Sequence, residues 1–320
     1  MKRFNMAKSE LLGVDIGSTA IKVLALSKIQ ETLRVEYYAS VPLPQGAIHH
    51  KSLTDIELVA AAIAQAWKQS GCHTKQAAVA VPAAAAIAKT ISLPLDLAAD
   101  ELEAHVELEA EQCIPYPLNE ISYDFEIVAK SPGNTGTQEV LLVAARIEPV
   151  EDRMAALELA GLKPTVVDVE TYAIENTVEL LLRQRPETAA YHTVAIADLG
   201  TLTLVFQVIV NGITIYSREE PFSIAPDPQQ ATSLTQQIKR SLQFFQTSGH
   251  AHSIELLILI GGRACAELAL CVANELGLAC LLGNPFKAML LNSRIDHNDL
   301  HKTAPTLATA CGLALRAFGQ

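Results

Sequence analysis

One short pattern occurs twice in this chain, and it constrains the fold more than any other feature. Residues 11–24 read Leu-Leu-Gly-Val-Asp15-Ile-Gly17-Ser18-Thr19-Ala-Ile-Lys22-Val-Leu, and residues 195–206 read Ala-Ile-Ala-Asp198-Leu-Gly200-Thr201-Leu-Thr203-Leu-Val-Phe. In each, an apolar run of β type ends in Asp-x-Gly, hydroxyl residues follow, and a second apolar run returns. Glycine in such a turn lets successive backbone N–H groups converge into an anion-binding nest. The aspartate at the strand end can hold magnesium through water, because Mg²⁺ keeps most of its hydration shell. Lys22 adds a point charge suited to phosphate. A single copy would read equally as an ordinary hairpin with an Asp-Gly turn. Two copies, one per half, predict turns that grip a polyphosphate from both sides.

Length and composition set the class. At 320 residues, 50% hydrophobic and 18% charged, the chain reads as globular with about two domains. No apolar run approaches the roughly 18 residues of a membrane span, and the basic start lacks the apolar core of a signal peptide. Six cysteines (72, 113, 265, 271, 280 and 311) form no Cys-x-x-Cys pair, so free thiols in a reducing compartment are expected. His49-His50 and His250-x-His252 stand beside loops and read as surface rather than as metal ligands.

The net charge of −11 argues against nucleic acid, which needs basic stripes. The position of the acid says more. Between Thr90 and Ala129 stand ten carboxylates (Asp96, Asp100, Glu101, Glu103, Glu107, Glu109, Glu111, Glu120, Asp124 and Glu126) and no lysine or arginine. Part of that run reads as a solvated helix face. Part can attract a basic partner segment.

Periodicity then orders the elements. Strands are expected at 10–14, 21–26 and 34–41, a helix over Thr54–Ser70 closed by Gly71, and buried strands at 77–81 and 87–92. Asp96–Gln112 reads as an acidic helix stopped by Pro115 and Pro117, with strands at 122–129 and 138–145 around a loop at 131–136. That block looks inserted before a helix over 148–160, a strand over 164–169 and a helix over 170–184. The second half predicts strands at 193–197 and through Val210, an Asn211-Gly212 hairpin returning over 213–217, and an amphipathic helix over 233–247. A strand over 254–260 runs into Gly261-Gly262, followed by helices over 264–276 and 304–318. The layout is mixed α/β.

These features together resemble the actin-like ATPase superfamily of sugar kinases, Hsp70 and actin, whose two duplicated α/β domains each carry a phosphate turn. The resemblance makes Asp15, Gly17, Ser18, Thr19 and Lys22 the first phosphate motif, and Asp198, Gly200 and Thr201 the second. Gly261 and Gly262 resemble the adenosine motif. Glu170, opening the first connecting helix, matches the position that orients the attacking water. Gly312 matches the second connecting helix, where small residues let two helices cross. Within the superfamily the closest likeness is to the FtsA-like PilM family of type IV pilus assembly, carried by Glu109-Ala-Glu-Gln-Cys-Ile-Pro-Tyr-Pro-Leu118, Glu120-Ile-Ser-Tyr-Asp124, Asn211 to Arg218, Gln243-Phe-Phe and Gly283-Asn-Pro-Phe286.

The resemblance implies subdomain 1A over 8–82 and 146–190, an inserted subdomain 1C over 83–145, and subdomain 2A over 191–320. Subdomain 2B is then reduced or missing, since residues 221–231 fill its place. The implied cofactors are ATP and magnesium, the latter held by Asp15 and Asp198 through water, with at most weak ATPase activity because one wall of the adenosine pocket is short. The implied role is a cytoplasmic scaffold, peripheral to the inner membrane through its partner. That partner is the basic N-terminal tail of a PilN-type membrane protein, clamped between 1A and 1C near Glu101–Glu126. Self-association is left open. The competing class is a small-molecule kinase of the same superfamily, which would need a catalytic aspartate facing a substrate hydroxyl. A division filament would want an amphipathic C-terminal helix, which Arg316-Ala-Phe-Gly-Gln320 does not supply.

Overall fold

The computed structural model describes residues 11–49, 51–130, 136–221 and 230–319. They form two compact units: the chain up to Ala80 together with Met154 onward, and Val81–Arg153.

The larger unit opens with β1 (Leu12–Ile16), β2 (Ala20–Ile29) and β3 (Thr32–Pro42), an antiparallel meander. A tight pair, β4 (Ile48–His49) and β5 (Ser52–Leu53), precedes α1 (Ile56–Ser70). Asp55 caps α1 by accepting from the Leu58 N–H, and Gly71 ends it in a left-handed conformation at φ 72°. β6 (Gln76–Val81) then lies parallel to β1.

The smaller unit contains β7 (Ala86–Pro94), α2 (Ala99–Cys113), β8 (Ile121–Lys130) and β9 (Thr137–Arg146). Its sheet runs β7-β9-β8, which leaves β8 an edge. Val106 and Ala110 of α2 bury against Ile91, Leu93, Val140 and Leu142. Pro115 and Pro117 end that helix by steric exclusion.

From there α3 (Ile147–Leu159), β10 (Lys163–Val169) and α4 (Glu170–Arg183) lead into a second meander, β11 (Thr193–Leu199), β12 (Thr203–Val210) and β13 (Ile213–Pro221). Asn211 and Gly212 take φ 51° and 86°, as a type I′ turn requires. The remaining elements are α5 (Gln230–Thr247), β14 (Leu256–Ile260), α6 (Ala266–Leu276), β15 (Ala279–Leu282), β16 (Leu290–Leu291), α7 (His297–Thr303) and α8 (Ala308–Leu315).

The duplication in the sequence reappears as topology. One sheet reads β3-β2-β1-β6-β10, with β16 added beside β3, and the other reads β13-β12-β11-β14-β15. In both, an antiparallel meander continues into strands reached by helical crossovers. Each sheet is covered on both faces. α1 and residues of α3 cover one side of the first sheet, and α8 with Phe286 and Leu300 covers the other. α5 and α6 cover one side of the second sheet, and α4 the other.

Where α4 meets α8 there is no room for a side chain. A Cβ on Gly312 would stand 1.6 Å from the Ala173 carbonyl oxygen, and one on Gly13 would stand 2.2 Å from that of Ala310. Thr177 Oγ1 donates to the Ala308 carbonyl at 2.7 Å across the same crossing. At the end of α8, Arg316 makes a two-pronged bond to the buried Asp168, with Nε 2.7 Å from Oδ2 and Nη2 3.0 Å from Oδ1.

Several expectations change in detail. The helix expected over 304–318 breaks into a 3₁₀ turn at Ala304–Leu307, α8, and a second 3₁₀ turn at Arg316–Phe318. Pro305 supplies no N–H there. β4, β5, β15, β16 and α7 are additions, each too short to show a period. Ile114 is 4% exposed and belongs to the core of the smaller unit. His50, the loop at 131–135 and most of the 221–231 link lie outside the described residues. Among the described residues, no helix is long and apolar enough to cross a membrane.

Candidate functional site

The two Asp-x-Gly turns are built alike. Asp15 ends β1 in register with Lys22, and the Gly17 N–H donates to the Ala20 carbonyl at 3.1 Å. Asp198 ends β11 in register with Val205, and the Gly200 N–H donates to the Thr203 carbonyl at 3.0 Å. The same three-residue bond closes both, so hydroxyl residues stand at each tip. The tips meet: Thr19 Oγ1 and Thr201 Oγ1 are 3.0 Å apart, within hydrogen-bond distance.

A third chain crossing completes the second turn. β14 runs parallel to β11 and delivers Gly261 at φ 91° directly beside Asp198. A Cβ there would lie 2.4 Å from Asp198 Oδ1 and 2.6 Å from the Leu199 carbonyl oxygen, so glycine is required for space as well as for conformation. The Gly261 N–H donates to Pro305 O at 2.8 Å. Arg263 braces the turn, its backbone N–H reaching Leu199 O at 3.0 Å and its Nη2 reaching Thr201 O at 2.7 Å.

These segments enclose a cavity of about 310 Å³, at the small end of the range for small-molecule sites. All eleven residues singled out in the sequence line it: Asp15, Gly17, Ser18, Thr19, Lys22, Glu170, Asp198, Gly200, Thr201, Gly261 and Gly262. Lys51, Thr303, Pro305, Thr306 and Thr309 also line it, and sequence reasoning passed over them. The threonines recur every third residue, Thr303 at the end of α7, Thr306 in the 3₁₀ turn and Thr309 in α8, a spacing that a neutral hydroxyl pattern does not advertise.

Charge dominates the interior. Lys22 Nζ donates to Asp15 Oδ2 at 2.8 Å. Lys51 Nζ donates to Glu170 Oε2 at 2.6 Å and lies 3.4 Å from Glu219 Oε2. Four carboxylates (Asp15, Glu170, Asp198 and Glu219) therefore face two ammonium groups. Burial pushes the Asp198 carboxyl up; Lys51 and Lys22 work against that shift, while Asp15 and Glu219 add to it. Burial likewise raises Glu170, against the opposing pull of Lys51. For Lys22, burial disfavours the charge, but Asp15, Asp198 and Glu170 together outweigh it and raise the ammonium pKa. Lys51 is raised the same way by Glu170, Glu219 and Asp198 against its own burial. Both lysines stay charged at neutral pH.

Among the described residues, no set of three or more His, Cys, Asp or Glu side chains is arranged to hold a metal directly. A cation between Asp15 and Asp198 would keep water in most of its positions, which suits magnesium.

The acidic run lies on the smaller unit. Glu101 accepts from the Ala98 N–H at 3.1 Å and caps α2, so one carboxylate of the run has a local task. Glu103, Glu107 and Glu111 are exposed. The Tyr123 phenol on the edge strand β8 is raised by burial and, after that, by the charges of Glu107 and Glu103 on α2. Pro115, Tyr116 and Pro117 form an exposed corner, and Ile127 and Val128 are about half exposed at the far end of β8.

Comparison with known proteins adds an independent line. The chain matches the family profile described as type IV pilus assembly protein PilM over residues 13–225 and 227–318. It resembles a chain of a solved "PilM-PilN type IV pilus biogenesis complex" at 26% identity and a TM-score of 0.77, covering 96% of this chain and 98% of that one. It also resembles the ethanolamine utilization protein EutJ from Carboxydothermus hydrogenoformans at 13% identity and a TM-score of 0.50, covering 95% of this chain and 88% of that one. The duplicated sheets and these likenesses identify the actin-like ATPase fold.

Proposed function

The chain belongs to the PilM family of type IV pilus assembly proteins, and from that membership we propose that it is an actin-like scaffold of the pilus assembly platform. Its partner is the N-terminal tail of a PilN-type inner-membrane protein. The observation that carries this reading is the match over nearly the whole chain to PilM from a PilM–PilN complex. The scaffold then works in the cytoplasm, held at the inner membrane by its partner.

The smaller unit supports a docking mode. β8 is a sheet edge whose backbone groups can pair with an added strand. Glu103 and Glu107 are exposed on α2 of the same unit and Tyr116 is exposed nearby in sequence, so a basic, extended tail would meet carboxylates and an aromatic corner. Carboxylates at such a rim act mainly on encounter rate and register.

For the larger unit we infer a magnesium–nucleotide site between the two turns. The residues fit a phosphate with a divalent cation: tight glycine turns, of which Gly261 leaves no space for a Cβ, hydroxyls at both tips, and two more carboxylates than ammonium groups. Asp15 and Asp198 would hold the hydrated cation, while Ser18, Thr19, Thr201 and Lys22 would hold phosphate. Gly261 and Gly262 would lie against the nucleoside, and Glu170 would orient water. When bound, magnesium would supply the positive charge that lets phosphate oxygens and the Asp15 and Asp198 carboxylates share the cleft. The Lys51–Glu170 bond ties up the candidate water-orienting carboxylate, which favours binding over turnover.

We assign 8–82 and 146–190 to subdomain 1A, 83–145 to 1C and 191–320 to 2A, with 2B shortened at 221–231. A small-molecule kinase is not favoured, because the match over nearly the whole chain is to a pilus assembly family. Titration of the full chain with a synthetic PilN-type tail tests the reading. Saturable 1:1 binding is expected, and its absence at high micromolar peptide would refute it.

A further inference from the structure

The two lysines of the cleft are placed differently. Lys22 lies on β2 opposite Asp15, so its ion pair stays within the first turn. Lys51 directly precedes β5, at φ 61°. A lysine rarely adopts that left-handed backbone, and here it sends a long side chain into the cavity. There its Nζ binds Glu170, at the start of α4, at 2.6 Å. It also lies 3.4 Å from Glu219 of β13, across the boundary between the two sheets.

That second contact is the weak one. At 3.4 Å it is an ion pair without hydrogen-bond geometry, and among the described residues the buried Glu219 Oε2 has no hydrogen-bond partner. A buried carboxylate oxygen left in that state costs free energy. The ammonium group therefore makes a short hydrogen-bonded pair with Glu170 and a longer ion pair with Glu219, in a cavity that both Asp-x-Gly turns line.

Resting on the nucleotide reading above, we propose that Lys51 makes the cleft discriminate a nucleoside triphosphate from a diphosphate, exchanging its loose contact with Glu219 for the terminal phosphate. A phosphate offers three acceptor oxygens and close to two negative charges at neutral pH. It outcompetes a carboxylate that is not even hydrogen-bonded. Glu170 keeps Lys51 charged and aimed, and Glu219 acts as the competitor that the third phosphate displaces. The shorter ligand does not reach Lys51 and leaves the Glu219 contact in place.

Calorimetry on the full chain with Mg-ATP and Mg-ADP tests this. Lys51→Met should weaken ATP by about tenfold to a hundredfold, the factor for one charged hydrogen bond. ADP should change by less than about threefold. Glu219→Gln should act in the opposite direction, tightening ATP and leaving ADP unchanged, which a merely structural role would not produce. If Lys51→Met fails to fold, Glu219→Gln decides alone: ATP binding that is unchanged or weaker overturns the proposal. Equal losses of ATP and ADP in Lys51→Met overturn it while leaving the nucleotide site standing. A wild-type chain that binds neither nucleotide overturns the site itself and this proposal with it.

Discussion

Gly312→Ala is the smallest perturbation with the largest expected effect. The added Cβ would stand 1.6 Å from the Ala173 carbonyl oxygen, 2.4 Å from its carbon and 2.9 Å from its Cα. Ordinary contact begins at about 3.4 Å, so α4 and α8 must separate by nearly 2 Å. All the conflicting atoms are backbone and cannot rotate away. Separation also strains the Thr177–Ala308 bond and loosens Ile174 and Val178 beside Ala308. Overpacking of a core costs about 1–3 kcal/mol when side chains can adjust. Here adjustment is barred, and about 3–5 kcal/mol is expected, among the rare large single-site effects. For a unit of this size each kcal/mol lowers the melting temperature by about 2 °C or slightly more, so a fall of about 6–10 °C should follow. Circular dichroism melts measure it. Gly136→Ala is the control, because a Cβ there meets nothing within 4 Å. A Gly312→Ala melt within about 2 °C of wild type would refute the crossing geometry.

Three further outcomes are expected. Arg316→Met leaves the Asp168 carboxylate buried without its two-pronged partner, so stability should fall by about 3 kcal/mol in urea titration. His301 is lowered by burial and by the neighbouring His297 and Lys287 charges, and its Nδ1 contacts Asn284 Nδ2 at 2.5 Å while Asn284 Oδ1 accepts from the Phe286 N–H at 3.0 Å. Its folded pKa lies below the unfolded value of about 6.5, so its contribution is intact above that pH and is lost as pH falls below it; His301→Gln should flatten the slope of urea midpoints between pH 7.5 and 5.5 (about one unit either side of the ordinary histidine pKa). For nucleotide, Asp15→Ala should abolish magnesium-dependent ATP binding and Lys22→Ala should weaken it by about 1–3 kcal/mol, both read by calorimetry.

The conformation of the two Asp-x-Gly turns was legible because their chemistry is local. Asp-x-Gly at a strand end, with hydroxyls behind it, encodes its own conformation, and the Gly17 and Gly200 bonds repeat it atom for atom. Gly312 was singled out through the family resemblance, which implied a helix crossing at that position. Lys51 was not. It follows two histidines in a short turn, and nothing nearby hints that 119 residues later Glu170 will meet it. Thr303, Thr306 and Thr309 were missed likewise, because the 3₁₀ turn around Pro305 carries no helical period. Arg263 carries no signal of its task in the sequence around it, yet it bonds the Thr201 carbonyl. Ile114 stands just before the proline corner, where the chain turns and buries it. What sequence hides here is long-range pairing of charged groups; what it displays is turn chemistry and core periodicity.

The central claim is that this chain captures the basic tail of an inner-membrane partner through the acidic edge of its smaller unit. Stopped-flow association of a fluorescent PilN-type tail with the full chain, across a salt series, addresses it most directly. Charges at a rim are screened over about 8 Å at physiological salt, so the association rate should fall steeply as salt rises. Converting Glu103 and Glu107 to lysine should slow association by about tenfold at low salt and flatten that dependence, with a smaller change in dissociation. An association rate and salt dependence that match wild type would contradict the account, leaving the acidic helix as no more than a solvated face.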